Sequence, residues 1–301
     1  MSSIITSERG SMTAPSAPQD DVSRLRCRGE GAALALCIAT SLVIVLACLV
    51  IVLFGKAWLG THPVLGKHIG WIRAVAIAAI IALPATLVGR RTKLHAARNQ
   101  GVRVGETQFP ELHRHLLDAC RKLGITVVPD VYVSHEVDGL ARAYSVLGGR
   151  PVVVVNASLV PARWMEGLEW IAFAMVRELG ALRLGHRRWW IELATVYSRH
   201  IPGVRTPLLI KSCYSCDRCA AYVYPEGIRG LVAQGVGKNV IRSVAIPAFI
   251  DETKHAFGFW DFIASVLRNA PLLTARAGAL YDAGLFDRAR DLERYADPPA
   301  S

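Results

Sequence analysis

The chain is short of negative charge: 24 Asp and Glu stand against 35 Lys and Arg in 301 residues, a formal charge of 35 − 24 = +11. It also lacks an even cysteine set, and seven cysteines give no disulfide framework and suit a reducing cytosol. There is no internal repeat, no Walker sequence and no Ser-His-Asp spacing. Gly101-Val102-Arg103-Val104-Gly105 follows no strand pattern and reads as a juxtamembrane linker rather than a nucleotide-binding loop. Bases interleaved with aromatics are missing from the soluble part, which argues against nucleic acid as the partner of this basic chain. What the chain has in plenty is apolar residues, 52% of the total, with a mean hydropathy of +0.32. That excludes a disordered protein and points to the membrane class.

Ala32 to Phe54 is an uncharged run of 23 residues, which as a helix spans about 34 Å. A second run, from 70 to 88, reaches spanning length if Arg73 snorkels to the interface; it contains Pro84, a possible kink. A cleaved signal sequence is the competing reading of the first run, because Arg24, Arg26 and Arg28 precede it, but the run exceeds the roughly 15 residues of an apolar signal core. Val45-Leu46-Ala47-Cys48 is a loose lipoprotein box, and the apolar run continues well past it. Basic residues lie before the first span and after the second, from Arg90 to Arg103, while the loop between carries only Lys56 and Lys67 before Arg73. The expectation is a two-pass protein of the cell membrane with both termini cytoplasmic and the lipid bilayer as its first partner.

Three units follow: a disordered cytoplasmic tail over 1–30, a transmembrane hairpin over 31–90, and a cytoplasmic domain over 105–301. In the last, Pro110 to Leu123 carries helical spacing. Val131 to Val133, Ala143 to Leu147 and Val152 to Val155 are β-rich, the last two joined at Gly148-Gly149 as a hairpin. A long helix is predicted from Trp164 to Leu184, and others at Leu208 to Val223, Pro225 to Gly235, Trp260 to Leu267 and Thr274 to Tyr295. Trp189-Trp190 after Arg187-Arg188 suits a membrane interface or a core, and the stretch is too short for a third span.

The order of these elements resembles the HtpX-type integral-membrane zinc metallopeptidases, peptidase family forty-eight. The residues that carry the resemblance are Phe109-Pro110-Glu111-Leu112, Val131-Tyr132-Val133, Val152 to Val155, Val176-Arg177-Glu178-Leu179-Gly180-Ala181 with Gly185-His186, Cys213 to Arg218, and Gly258-Phe259-Trp260 with Ala270-Pro271 and Arg276. The resemblance implies an α+β, gluzincin-like metallopeptidase domain behind the two-helix hairpin. In that family a His-Glu-x-x-His helix grips zinc with its two histidines while the glutamate serves the attacking water. Here the stretch reads Arg177-Glu178-Leu179-Gly180-Ala181, so only Glu178, a vestigial general base, survives. The third ligand position is Cys213, the Asp four residues on is kept as Asp217, and the position of a transition-state histidine is Ala270.

Zinc lowers the pKa of bound water from about 15.7 to about 7, roughly 12 kcal/mol of help that Glu178 alone cannot supply. An arginine has no lone pair for a metal and repels a cation. The expectation is therefore no zinc, and a pair between Arg177 and Asp217 in the place of the metal, with Glu178 pointing elsewhere; the alternative is that Arg177 snorkels to solvent. Cys213, Cys216 and Cys219 spread over about 120° of a helix and are read as buried thiols rather than a metal site. His186 is expected to cap or neutralise the preceding helix end, and His113 and His115 to lie at the surface. The function read from this is a pseudopeptidase that binds a peptide or membrane-protein partner, with the edge around Ala141 to Val146 as its groove. Its rivals are an active zinc metalloendopeptidase with a site rearranged around Glu178, Cys213, Asp217 and His186, and a passive spacer on the membrane hairpin.

Overall fold

A computed structural model describes residues 22–285 apart from 59, 63–64, 136–138, 146–147, 160–167, 226–227, 237–243, 246–247, 250–257 and 269. The first 21 residues, Trp164, Val146, Leu147, Asn269 and the expected helical stretch beyond 285 lie outside it.

Two long helices come first, α1 (Glu30–Trp58) and α2 (Ile69–Gln100). Both are long and apolar enough to cross a membrane. A soluble core helix of such composition would hide its side chains, yet Leu42, Val43, Val50, Leu53, Phe54, Val75 and Ile81 are exposed along the pair. Arg73 donates through Nη2 to Val52 O at 2.8 Å, so this cation in an apolar run is satisfied by the neighbouring helix.

The helix α2 does not stop where its apolar run stops. Leu94 and Ala97, near its end, are buried with Tyr144, Val152 and Val154 against one face of the sheet. The chain then enters β1 (Val102–Arg103), which pairs with β2 (Asp130–Ser134), and Val104 N bonds Val131 O at 2.8 Å. The stretch expected to be a linker is thus an edge strand, because a helix running straight from the apolar span into the sheet leaves no slack.

Between these strands, α3 (Pro110–Lys122) buries Leu112, Leu116, Ala119 and Cys120. His115 on this helix is not a free surface residue: its Nδ1 lies 2.6 Å from Tyr224 Oη, and burial pulls its pKa down. Two further strands, β3 (Ala141–Tyr144) and β4 (Val152–Asn156), complete a four-stranded sheet in the order β1-β2-β4-β3. β4 pairs in parallel with β2 and antiparallel with β3, so β3 forms one edge. Gly148, at φ +71°, supplies the turn between β3 and β4.

The other face of the sheet, through Val131, Val133, Ala143, Val153 and Val155, packs on α3 and α4 (Leu168–Arg183). From Ile171 to Val176 every residue of α4 is buried, which makes it the central helix of the domain. Around it lie α5 (Trp189–Ala194), α6 (Pro202–Val223), α7 (Ile228–Val236), α8 (Phe259–Arg268) and α9 (Leu273–Tyr281). The whole is α+β.

The expected tail boundary at residue 30 needs correction. Val22 is buried in the main core with Leu25 against it, Arg26 Nη2 bonds Leu184 O at 2.6 Å, and Cys27 N bonds Ser215 Oγ at 2.8 Å. A polar composition hid these contacts, because two apolar side chains are enough to hold a segment that leads into a long apolar helix.

Candidate functional site

The central helix α4 presents Arg177 and Glu178 next to each other, and the two side chains diverge. α6 crosses α4 where Gly180 has no side chain: a Cβ there would stand 2.6 Å from Cys219 Cβ. This close approach sets Cys213 and Asp217, further back on α6, opposite Arg177. Arg177 Nε lies 2.8 Å from Asp217 Oδ1, and its Nη2 donates to Cys213 Sγ at 2.8 Å. The thiol of Cys213 in turn faces Asp217 Oδ2 at 3.8 Å. Arg177 is therefore engaged inward and does not snorkel away.

A second arginine completes this arrangement. Arg276 of α9 grips Asp217 with two bonds, Nε to Oδ2 and Nη2 to Oδ1, both 2.7 Å. Asp217 has no exposed surface, and burial alone would push its carboxyl up; the Arg276 and Arg177 guanidiniums overcome that and hold it below the usual carboxylate range. Burial raises the Cys213 thiol, with Arg177 opposing, so the sulfur serves as a neutral acceptor and donor.

Glu178 turns to the sheet. Its Oε2 accepts Ala143 N of β3 at 2.8 Å and Arg187 Nη2 at 2.9 Å, and Arg187 Nη2 also reaches Oε1 at 3.1 Å. Gly185, at φ +81°, makes this possible: it ends the turn after α4, His186 N closes onto Ala181 O at 2.9 Å, and the chain folds back so that Arg187 meets a carboxylate nine residues earlier. Glu178 is thus engaged by a strand amide and a guanidinium.

The remaining expected site residues separate. Ala181 is buried in the α4 surface. Ala270 is exposed beyond α8, its N–H on Ser265 O at 3.2 Å, and it makes no hydrogen bond to the cluster among the described residues. The ring of His186 does not cap α4 as expected. Its Nε2 lies 2.7 Å from Glu30 Oε1 at the start of α1, and its Nδ1 lies 3.4 Å from Cys216 Sγ. Ser215 Oγ binds the other Glu30 oxygen. The sequence of thiol, imidazole and carboxylate is that of an activated nucleophile, but Cys216 is 7% exposed and burial drives its thiol well up. A protonated thiol donating to Nδ1, and Nε2–H donating to Glu30, satisfy every partner, so this trio ties α1 to the α4–α6 junction.

The three cysteines of α6 thus meet three different neighbours: Arg177, His186 and Gly180. Among the described residues no three His, Cys, Asp or Glu side chains are grouped to hold a metal ion. The donor set itself does not fit zinc. Arg177 has no lone pair, Ala181 has no donor, and Cys213 and Asp217 are committed to guanidiniums. Three arginines (Arg177, Arg187, Arg276) against two carboxylates (Glu178, Asp217) give 3 − 2 = +1, so the pocket carries its own cation.

Arg187 and Arg276 were not legible as site residues. The signal available was weak: a buried acid requires a base, and Asp217 and Glu178 together require more than Arg177. Comparison of the chain with protein-family models, with curated proteins and with solved structures finds no match.

Proposed function

We propose that this protein is a membrane-anchored, non-hydrolytic pseudopeptidase: an HtpX-like, gluzincin-type domain in which zinc chemistry has been replaced by ion pairs, held at the cytoplasmic face of the cell membrane by a two-pass hairpin with both termini inside, and used to bind an extended peptide or membrane-protein partner. The observation that carries this reading is the Arg177 guanidinium lodged between Cys213 Sγ and Asp217. A guanidinium there is held by a bonded network, and removing it to admit a divalent ion would break both contacts and bring like charges together.

The binding half of the reading rests on β3. Asn156 N bonds Leu140 O across the hairpin, so alternation turns the main-chain groups of Ala141 and Ala143 to the free side of the edge. Ala143 N–H is already taken by the Glu178 carboxylate. Among the described residues Ala141 N–H and C=O and Ala143 C=O have no hydrogen-bond partner, and they are the groups offered to an added strand.

The test has two arms. Full-length protein purified in detergent is expected to carry far less than one zinc per chain and to leave casein intact; one equivalent of zinc with chelator-sensitive cleavage refutes the reading. Ala141→Pro removes an outward N–H without breaking the β3–β4 ladder, and it is expected to abolish cross-linking of partners in native membranes. Unchanged cross-linking would refute edge addition.

A further inference from the structure

We propose that the segment from Trp189 to Thr206 is a third membrane-contacting element, seated in the cytoplasmic leaflet beside the hairpin, where Arg142, Arg199 and Arg205 hold the phosphate of an anionic phospholipid. The proposal rests on the reading that α1 and α2 cross the bilayer.

The depth of the segment is fixed by three bonds to the hairpin. Tyr197 Oη donates to Ala79 O, Ser198 N donates to Ser41 Oγ at 3.1 Å, and Cys37 Sγ donates to Val204 O at 3.3 Å. Ser41 and Ala79 each lie about nine residues in from the cytoplasmic ends of their apolar runs, roughly 14 Å along the helix axis. A chain bonded at that level is below the headgroups wherever lipid surrounds the hairpin. Its outward side chains agree with this: Trp190 and Ile201 are 43% and 37% exposed, and an indole near the top of such a segment belongs at the interface.

The same segment carries charge that lipid tails cannot solvate. Arg90 at the cytoplasmic end of the second span pairs with Glu192 of α5, and Arg199 Nη2 lies 4.0 Å from that same carboxylate. Arg205 Nη1 donates to Arg199 O at 3.4 Å, and Arg142 lies within electrostatic reach of both Arg90 and Arg199. Arg90 and Arg199 flank Glu192, and Arg187, held by Glu178, adjoins them through its carbonyl on Arg90 Nη2. Five guanidiniums (Arg90, Arg142, Arg187, Arg199, Arg205) against two carboxylates (Glu178, Glu192) leave 5 − 2 = +3, and among the described residues neither Arg142 nor Arg205 has a carboxylate within ion-pair distance. Long cationic side chains at this depth snorkel toward the headgroups. A guanidinium matches a phosphate with two parallel bonds, and the cytoplasmic leaflet is where anionic phosphate is supplied. Arg142 stands exposed on β3, so the site lies where the sheet edge meets the membrane.

The full chain is reconstituted in two sets of nanodiscs, with a photoactivatable group near the headgroup of either phosphatidylglycerol or phosphatidylcholine, and adducts are mapped by mass spectrometry. Peptides covering 189–206 are expected to be labelled about five-fold or more by phosphatidylglycerol over phosphatidylcholine. Arg142→Gln, Arg199→Gln and Arg205→Gln together are expected to bring the ratio to about one, and the three lysine variants to keep a preference. Equal labelling by the two lipids in the unaltered chain overturns the phosphate site and leaves only a neutral contact. Loss of the excess in 50 mM inorganic phosphate overturns lipid in favour of a free anion. A labelled hairpin with an unlabelled segment overturns the proposal alone, whereas an unlabelled hairpin sinks the transmembrane reading and the proposal with it.

Discussion

Asp217 is the point at which the site is most exposed to a direct test. It is wholly buried and faces two guanidiniums, Arg276 with two bonds of 2.7 Å and Arg177 at 2.8 Å. Asp217→Asn keeps the shape and removes the charge, leaving two cations opposed in a buried pocket. Breaking one buried pair in this way costs about 3–5 kcal/mol. For a folded unit of about 200 residues, roughly 2–4 °C per kcal/mol gives a fall in Tm of roughly 6–20 °C. Arg177→Ala is expected to be milder, about 1–2 kcal/mol, because Arg276 still neutralises both Asp217 oxygens. Cys120, Cys213, Cys216 and Cys219 are buried, so a thiol-reactive dye reports unfolding of detergent-purified protein directly. The order Asp217→Asn worse than Arg177→Ala is the diagnostic. A loss under about 1 kcal/mol for Asp217→Asn, or an equal loss for Arg177→Ala, refutes the claim that this carboxylate holds the pocket together. The pH dependence has a fixed sign. The folded state holds the Asp217 carboxyl below its unfolded value, so its contribution is complete above the ordinary carboxylate range of about 3.9 and is lost as the pH falls through the depressed value. Asp217→Asn should therefore flatten the acid limb of the stability profile and lower its neutral plateau.

Three further outcomes are expected. Glu178→Gln removes the charge facing Arg187 while leaving a carbonyl for Ala143 N–H, and should cost about 1–3 kcal/mol by the same dye assay with no change in any hydrolytic readout; an unaltered Tm would argue against the Arg187 clasp. Gly180→Ala drives a Cβ to 2.6 Å from Cys219 Cβ, an overpacking worth about 1–3 kcal/mol; Cys219→Gly should relieve it and Cys219→Ala should not, since the clash is with Cβ, and a double-mutant cycle reads the difference. Burial pushes the Cys120 and Cys219 thiols up to about 12 and drives the Cys216 thiol well up, so iodoacetamide at pH 8 should leave all three unmodified in native protein. Rapid alkylation of Cys216 would mean that its contact with His186 activates rather than buries it.

Much was legible because it is written in local pattern. The two apolar runs, the helix from Pro110, the valine strand and the turn at Gly148-Gly149 all depend on spacing within a few residues, and the structure has each of them. The Arg177–Asp217 pair was expected through the resemblance, whose pattern sets Asp217 opposite Arg177, and the structure has it. Boundaries fared less well. The juxtamembrane residues looked like a linker because two residues of strand have no period, and the segment from Val22 looked like tail because its anchors are single apolar residues in polar surroundings.

Tertiary structure alone decided who else meets these charges. Arg276 reaches Asp217 from 59 residues away, and Glu30 reaches His186 from 156 residues away; no periodicity relates such positions. Arg187 is only nine residues from Glu178, yet it arrives there because the chain reverses at Gly185. The sequence by itself determined that Arg177 and Ala181 offer no lone pair to a metal, since the chemistry of a side chain is intrinsic. How these carboxylates are neutralised depends on which elements cross, and α6 crosses α4 where Gly180 lies against Cys219.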